Sequence, residues 1–221
     1  MSDQGYSQLT SLHQHNEDIA IEATVVKPRH VRFARVISTV LNPVSVSLPF
    51  VLLVVFYHAQ NQLAALIYAL IALFFLSVGP LIYVMIGVRT GKLSDFDLSH
   101  RSQRAGPFLF GIISTSIGLA VLSLLHGPRD LETALLLTVI TAIVLMVTTL
   151  WWKISLHAST MAGAATVLTA LYGIALLPSF LLLVLVSWSR VVLRRHTVAQ
   201  VVAGALLSIF LSLVILKLRG I

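Results

Sequence analysis

Cysteine is absent from the 221-residue chain, and charge is scarce. Without cysteine there is no disulfide framework and no thiolate to act as nucleophile or metal ligand. Charged residues make up only 10% of the chain, against 57% hydrophobic. A mean hydropathy of +0.95 and repeated uncharged runs exclude a soluble domain. Lipid cannot satisfy bare backbone N–H and C=O groups, so runs of this kind must be helices packed together. The net charge of +7 is read as membrane orientation and contact with anionic lipid, not as binding of nucleic acid. Residues 1–35 differ in kind. They are polar and mixed in charge, show no cleavable signal pattern, and turn basic at Lys27, Arg29, Arg32 and Arg35. A mostly disordered or surface-lying tail is expected there, followed by a membrane domain over residues 36–221.

The uncharged runs are Val36–Tyr57, Leu63–Val88, Gly106–Leu125, Thr133–Trp152, Ile154–Leu177, Pro178–Ser189 and Thr197–Leu216. Five are long enough on their own to cross the ~30 Å hydrocarbon layer. Residues 154–189 are too long for one crossing at ~1.5 Å per residue, and fit two if the chain turns at Pro178. The expected fold is therefore an all-α polytopic bundle of about seven transmembrane helices. Two spans then separate the Arg101–Arg104 loop from His157, and two more separate His157 from His196, so all three segments share one face. Of the fifteen lysines and arginines, only Arg129, Lys217 and Arg219 fall on the other side. The positive-inside rule puts the crowded side in the cytoplasm of a plasma or inner membrane.

With charge so rare, its placement carries information. Histidine, serine and cations gather at helix mouths in Lys153-Ile154-Ser155-Leu156-His157 and in Ser189-Arg190-Val191-Val192-Leu193-Arg194-Arg195-His196. A phosphate ester needs cations for its oxygens, a nucleophile, and an acid for its leaving group. Histidine serves as nucleophile or acid near neutral pH, and the planar guanidinium fork of arginine matches phosphate.

These residues resemble the signatures of the type 2 phosphatidic acid phosphatase (PAP2) superfamily. Arg190, five residues, His196, three residues and Gln200 is similar to the third signature, Ser-Arg-x5-His-x3-Asp. Ser155-Leu156-His157 resembles the second, Pro-Ser-Gly-His, and Asp97 to Ala105 resembles the first, Lys-x6-Arg-Pro. The likeness runs from about Asp97 to Gly204. It implies a six-helix core, hydrolysis without a metal or cofactor, and a phosphohistidine intermediate. His196 would be the nucleophile and His157 the acid; Arg104, Ser155 and Arg190 would hold the phosphate. The substrate implied is a lipid or isoprenoid phosphate or diphosphate, its tail among the helices. Asp97, Ala105, Ile154 and Leu156 depart from the pattern, and Arg101 or Lys153 is the substitute for the missing lysine. Gln200 stands where the family has aspartate. At i+4 its carbonyl can accept an imidazole N–H but cannot offset an imidazolium charge, so a weaker nucleophile is expected.

Simpler roles exist for several of these residues. Arg194 and Arg195 serve as topology anchors, Ser155 as a helix cap, and Lys153 beside Trp151 and Trp152 as part of an aromatic belt. The small residues Ala203, Gly204 and Ala205 suit close helix packing. Two other classes compete: an inactive lipid-binding or scaffold protein on the same fold, and a haem- or quinone-binding carrier with histidines on facing helices.

Overall fold

The computed structural model describes residues 28–57, 59–95 and 103–221. Every regular element among them is helical. The chain divides into two units, Met1–Phe33 and Ala34–Ile221, and the second holds the bundle. In order the helices are α1 (Arg29–Val40), α2 (Pro43–Phe56), α3 (Gln62–Arg89), α4 (Ala105–Leu124), α5 (Arg129–Thr149), α6 (Leu156–Tyr172), α7 (Ser179–Val192) and α8 (Val198–Leu218). Four of these (α3, α4, α5 and α8) and the stretch Ile174–Val192 are long and apolar enough to cross a membrane. The pair α1–α2 makes a sixth if counted as one bent span.

The structure revises three boundaries. The first apolar run is broken: α1 and α2 meet at a 48° bend, because Asn42 caps the new helix and Pro43 opens it. Helix begins at Arg29, ahead of Val36, since helix formation does not wait for an uninterrupted apolar run. The turn near Pro178 is broader than one residue. Gly173 takes φ +84°, a single 3₁₀ turn spans Ile174–Leu176, and Pro178 caps α7.

The apolar surface is arranged as lipid demands. Large side chains such as Leu70, Leu181 and Phe210 point outward, Phe210 with 63% of its surface exposed. Small ones line the interior at helical spacing: Ala65, Ala69 and Ala72 on α3, and Ala158, Ala162 and Ala165 on α6. Helices in lipid gain little from burying leucine, so close backbone approach through small residues is what holds them. Helix α6 is central, packed against α2, α5, α7 and α8. Its 17 residues give about 25 Å, a little under the membrane's hydrocarbon thickness.

Helix α3 contains a π turn at Phe74–Val78. The Gly79 N–H bonds the Phe74 carbonyl, and Pro80 has no N–H, so the Phe75 carbonyl loses both helical donors. The Ser114 hydroxyl of α4 donates to it at 2.6 Å. A sequence-imposed gap in one helix thereby becomes a specific tie to its neighbour.

Contacts mark the two ends of the bundle. At one, the Tyr172 hydroxyl donates to the Val54 carbonyl, Tyr68 to that of Leu125, and Arg219 to the hydroxyl of Thr133. At the other, the Ser155 N–H donates to the Gln200 carbonyl. Helix α6 therefore runs from end to end, and α7 runs back.

Candidate functional site

The site begins with how α7 stops. Arg194 adopts φ +54°, its N–H bonds the Val191 carbonyl at 2.9 Å, and the Arg195 N–H bonds that of Arg190 at 3.0 Å. This is a Schellman termination with arginine where glycine is usual. The reversal also brings the His196 N–H to the Arg190 carbonyl at 3.3 Å. Five residues between Arg190 and His196 are the length of that turn, which returns the histidine to the end of its own helix.

The start of α8 then fixes the imidazole. Thr197 and Gln200 form a capping box: the threonine hydroxyl accepts the Gln200 N–H, and Gln200 Oε1 accepts the Thr197 N–H at 3.2 Å. Because a backbone N–H can only donate, the atom it meets must be the amide oxygen. That same oxygen lies 3.2 Å from His196 Nδ1. Nδ1 therefore carries the hydrogen in the neutral ring, and Nε2 keeps a free lone pair. The ring is 8% exposed. Burial, then the charges of Arg190 and Lys153, push its pKa down to about 3; the Gln200 bond opposes this and Arg104 adds to it. The imidazole is thus a neutral base at ordinary pH.

A third element supports α8. The Ser155 hydroxyl accepts the Ala158 N–H at 3.4 Å as the N-cap of α6, and the Ser159 hydroxyl donates to the Gly204 carbonyl at 3.0 Å. A Cβ on Gly204 would stand 2.9 Å from the Ser155 carbonyl oxygen and 2.8 Å from Ile154 Cγ2. Only glycine lets α8 approach the start of α6 this closely.

An open cleft of about 430 Å³ lies over these helix ends, lined by Lys153, Val191, Arg194, Arg195, His196, Thr197 and Gln200. Three lining residues are cations and none is acidic. Arg190 and Arg104 are buried and close enough to act on the imidazole's charge. The arrangement is a neutral imidazole in a positive setting, suited to an anion.

The site residues read from the sequence separate into groups. His196, Gln200, Arg190, Lys153 and Arg104 come together. Ser155 is fully buried and occupied as a helix cap, so the structure gives it a structural duty. His157, in the first turn of α6, is half-buried and is not among the residues lining the cleft. Arg101, like Asp97, lies outside the described residues.

Sequence reasoning missed three residues and read Gly204 correctly as a helix-packing position. Arg194 and Arg195, topology anchors by the sequence, line the cleft. Ser38 of α1 meets Arg190 from far away in sequence, and no local signal could have revealed it. The pattern Thr197-x-x-Gln200 was legible as a capping box. No protein-family model, no curated protein and no solved structure matches the chain.

Proposed function

We propose that the chain is an integral membrane phosphatase that cleaves a phosphate or diphosphate from a lipid or isoprenoid carrier through a phosphohistidine at His196. The observation that carries this reading is the neutral imidazole, tied at Nδ1 by Gln200 and open at Nε2, among Arg104, Lys153 and Arg190. In the first step the Nε2 lone pair attacks phosphorus, and the P–O bond to the carrier breaks. The leaving oxygen takes a proton from an acid, the role that the resemblance implies for His157, which is not among the residues lining the cleft. Water then attacks phosphorus, giving a proton back to that acid, and the P–N bond breaks to release inorganic phosphate. Arginine and lysine neutralise the equatorial oxygens throughout.

The reading takes seven crossings, adding the shorter α6 to the five long apolar helices and the bent α1–α2 pair, and on that count the cleft would lie at a membrane surface. Exposed Trp151 and Trp152 beside Lys153 support a headgroup level for this end, and the excess of lysine and arginine there supports the cytoplasmic side. The lipid tail would lie along the outward apolar faces. A second reading keeps the binding and drops the turnover. It is favoured by the uncharged Gln200 and by the occupied Ser155 hydroxyl.

One experiment addresses both. The purified protein is exposed briefly to phosphatidate or an isoprenyl diphosphate labelled in its phosphate, then quenched in alkali, which spares phosphohistidine. Label is expected on the peptide containing His196 and absent from His196→Ala. Phosphate release that continues unchanged in His196→Ala refutes the mechanism; binding with no release in the parent supports the second reading.

A further inference from the structure

Arg190 is held by a side chain from well outside the stretch that carries the family resemblance. Its Nη1 donates to the Ser38 hydroxyl at 2.8 Å, across 152 residues of sequence. Both partners are buried, Ser38 at 7% and Arg190 at 3% exposed. Ser38 is well anchored. It lies in the last turn of α1, just before the corner where Asn42 Nδ2 donates to the Thr39 carbonyl at 2.6 Å and Asn42 Oδ1 accepts the Ser45 N–H at 2.9 Å. Arg190 is thus fixed at two points: its carbonyl receives the Arg195 and His196 N–H groups, and its guanidinium reaches α1.

We propose that Ser38 is a positioning residue for the phosphate site: its hydroxyl fixes the roll of the Arg190 guanidinium, and with it the orientation of the cation towards the anion bound at His196. The inference rests on the phosphatase reading above. A guanidinium recognises phosphate as a planar fork, so its plane matters as well as its charge. An arginine anchored only through its aliphatic stem can rotate about several bonds, whereas one Nη held from behind presents its fork in a single orientation. The α1–α2 corner then belongs to the working site, although it contains none of the residues that resemble a catalytic signature.

The test uses the full chain in nanodiscs and the near-isosteric pair Ser38→Thr and Ser38→Val, which differ by one hydroxyl. Inorganic phosphate binding is followed by titration calorimetry, alongside phosphate release from phosphatidate. Ser38→Val is expected to weaken phosphate binding about tenfold and to raise KM by a similar factor, as the loss of one charge-assisted bond implies. Ser38→Thr is expected to retain most of both. In an Arg190→Ala background the two variants are expected to be equal, because Ser38 acts only through Arg190. Equal phosphate binding by Ser38→Thr and Ser38→Val with Arg190 intact overturns the proposal. So does a valine penalty that persists undiminished without Arg190, since a purely structural role predicts that. A parent protein that binds no phosphate overturns the phosphatase reading itself, and this inference with it.

Discussion

Replacing Gln200 with glutamate tests the uncharged partner that holds the His196 imidazole. The substitution would keep the capping box, since glutamate fills that position as well as glutamine, and it would keep an oxygen facing both the Thr197 N–H and His196 Nδ1. What changes is one negative charge, 3.2 Å from the imidazole nitrogen. At an effective dielectric near 20 a unit pair at that distance is worth about 5 kcal/mol. Water and salt in the open cleft reduce this, and measured charge partners shift a pKa by about one to three units. The His196 pKa should therefore rise from about 3 into the range of roughly 4 to 6. On the proposed mechanism only the neutral ring attacks phosphorus, so the acid limb of kcat/KM against pH should move up by the same amount. At neutral pH the rate should hold or increase, because a carboxylate offsets the charge of the phosphoimidazolium and an amide does not. Gln200→Asp is the weaker test, its side chain being one methylene too short for the 3.2 Å contact. An acid limb that stays in place, in a Gln200→Glu protein melting at the parental temperature, would refute the assignment of His196 as the titrating nucleophile.

Three further outcomes follow from the same geometry. Gly204→Ala should lower the melting temperature in detergent by an amount matching about 1–3 kcal/mol, and cut activity. Its Cβ meets the Ser155 backbone oxygen, which cannot rotate away. Arg194→Gly should stabilise the fold by about 1 kcal/mol, because φ +54° suits glycine, while weakening anion binding through the lost cleft charge. A variant that is no more stable contradicts the strained-cap argument, and unchanged phosphate affinity leaves Arg194 an anchor only. Stability should also fall as pH drops from about 6.5 towards 3. The unfolded histidine takes up a proton in that window and the folded His196 refuses it. The loss is at most about 5 kcal/mol, and His196→Ala should flatten that part of the melting curve against pH.

Some of the site was legible in the sequence. Arg190, His196 and Gln200 could be grouped because their spacing is set locally, by one helix termination and one capping box. Lys153 could be added because charge is rare and helix ends are few. Ser155 was harder. The same residue type at the same place serves a phosphate or a helix N-terminus, and its full burial favours the cap. His157 illustrates another limit: a position in the first turn of a helix does not say which way the side chain faces, and the cleft is lined without it. The broken first span was visible in Asn42-Pro43, but uniform apolarity on both sides hid it.

The sequence by itself determined the secondary structure. Long uncharged runs suit a membrane, where helices satisfy their own backbone groups, and helix ends are written in short polar patterns such as Thr197-x-x-Gln200. Tertiary structure decided which ends meet. The approach of α6 to α8 depends on a missing Cβ at Gly204, and the grip on Arg190 depends on a serine 152 residues away. Both are contacts between surfaces that carry no local signature, because in lipid helices are matched by shape and a few hydrogen bonds and not by hydrophobic pattern.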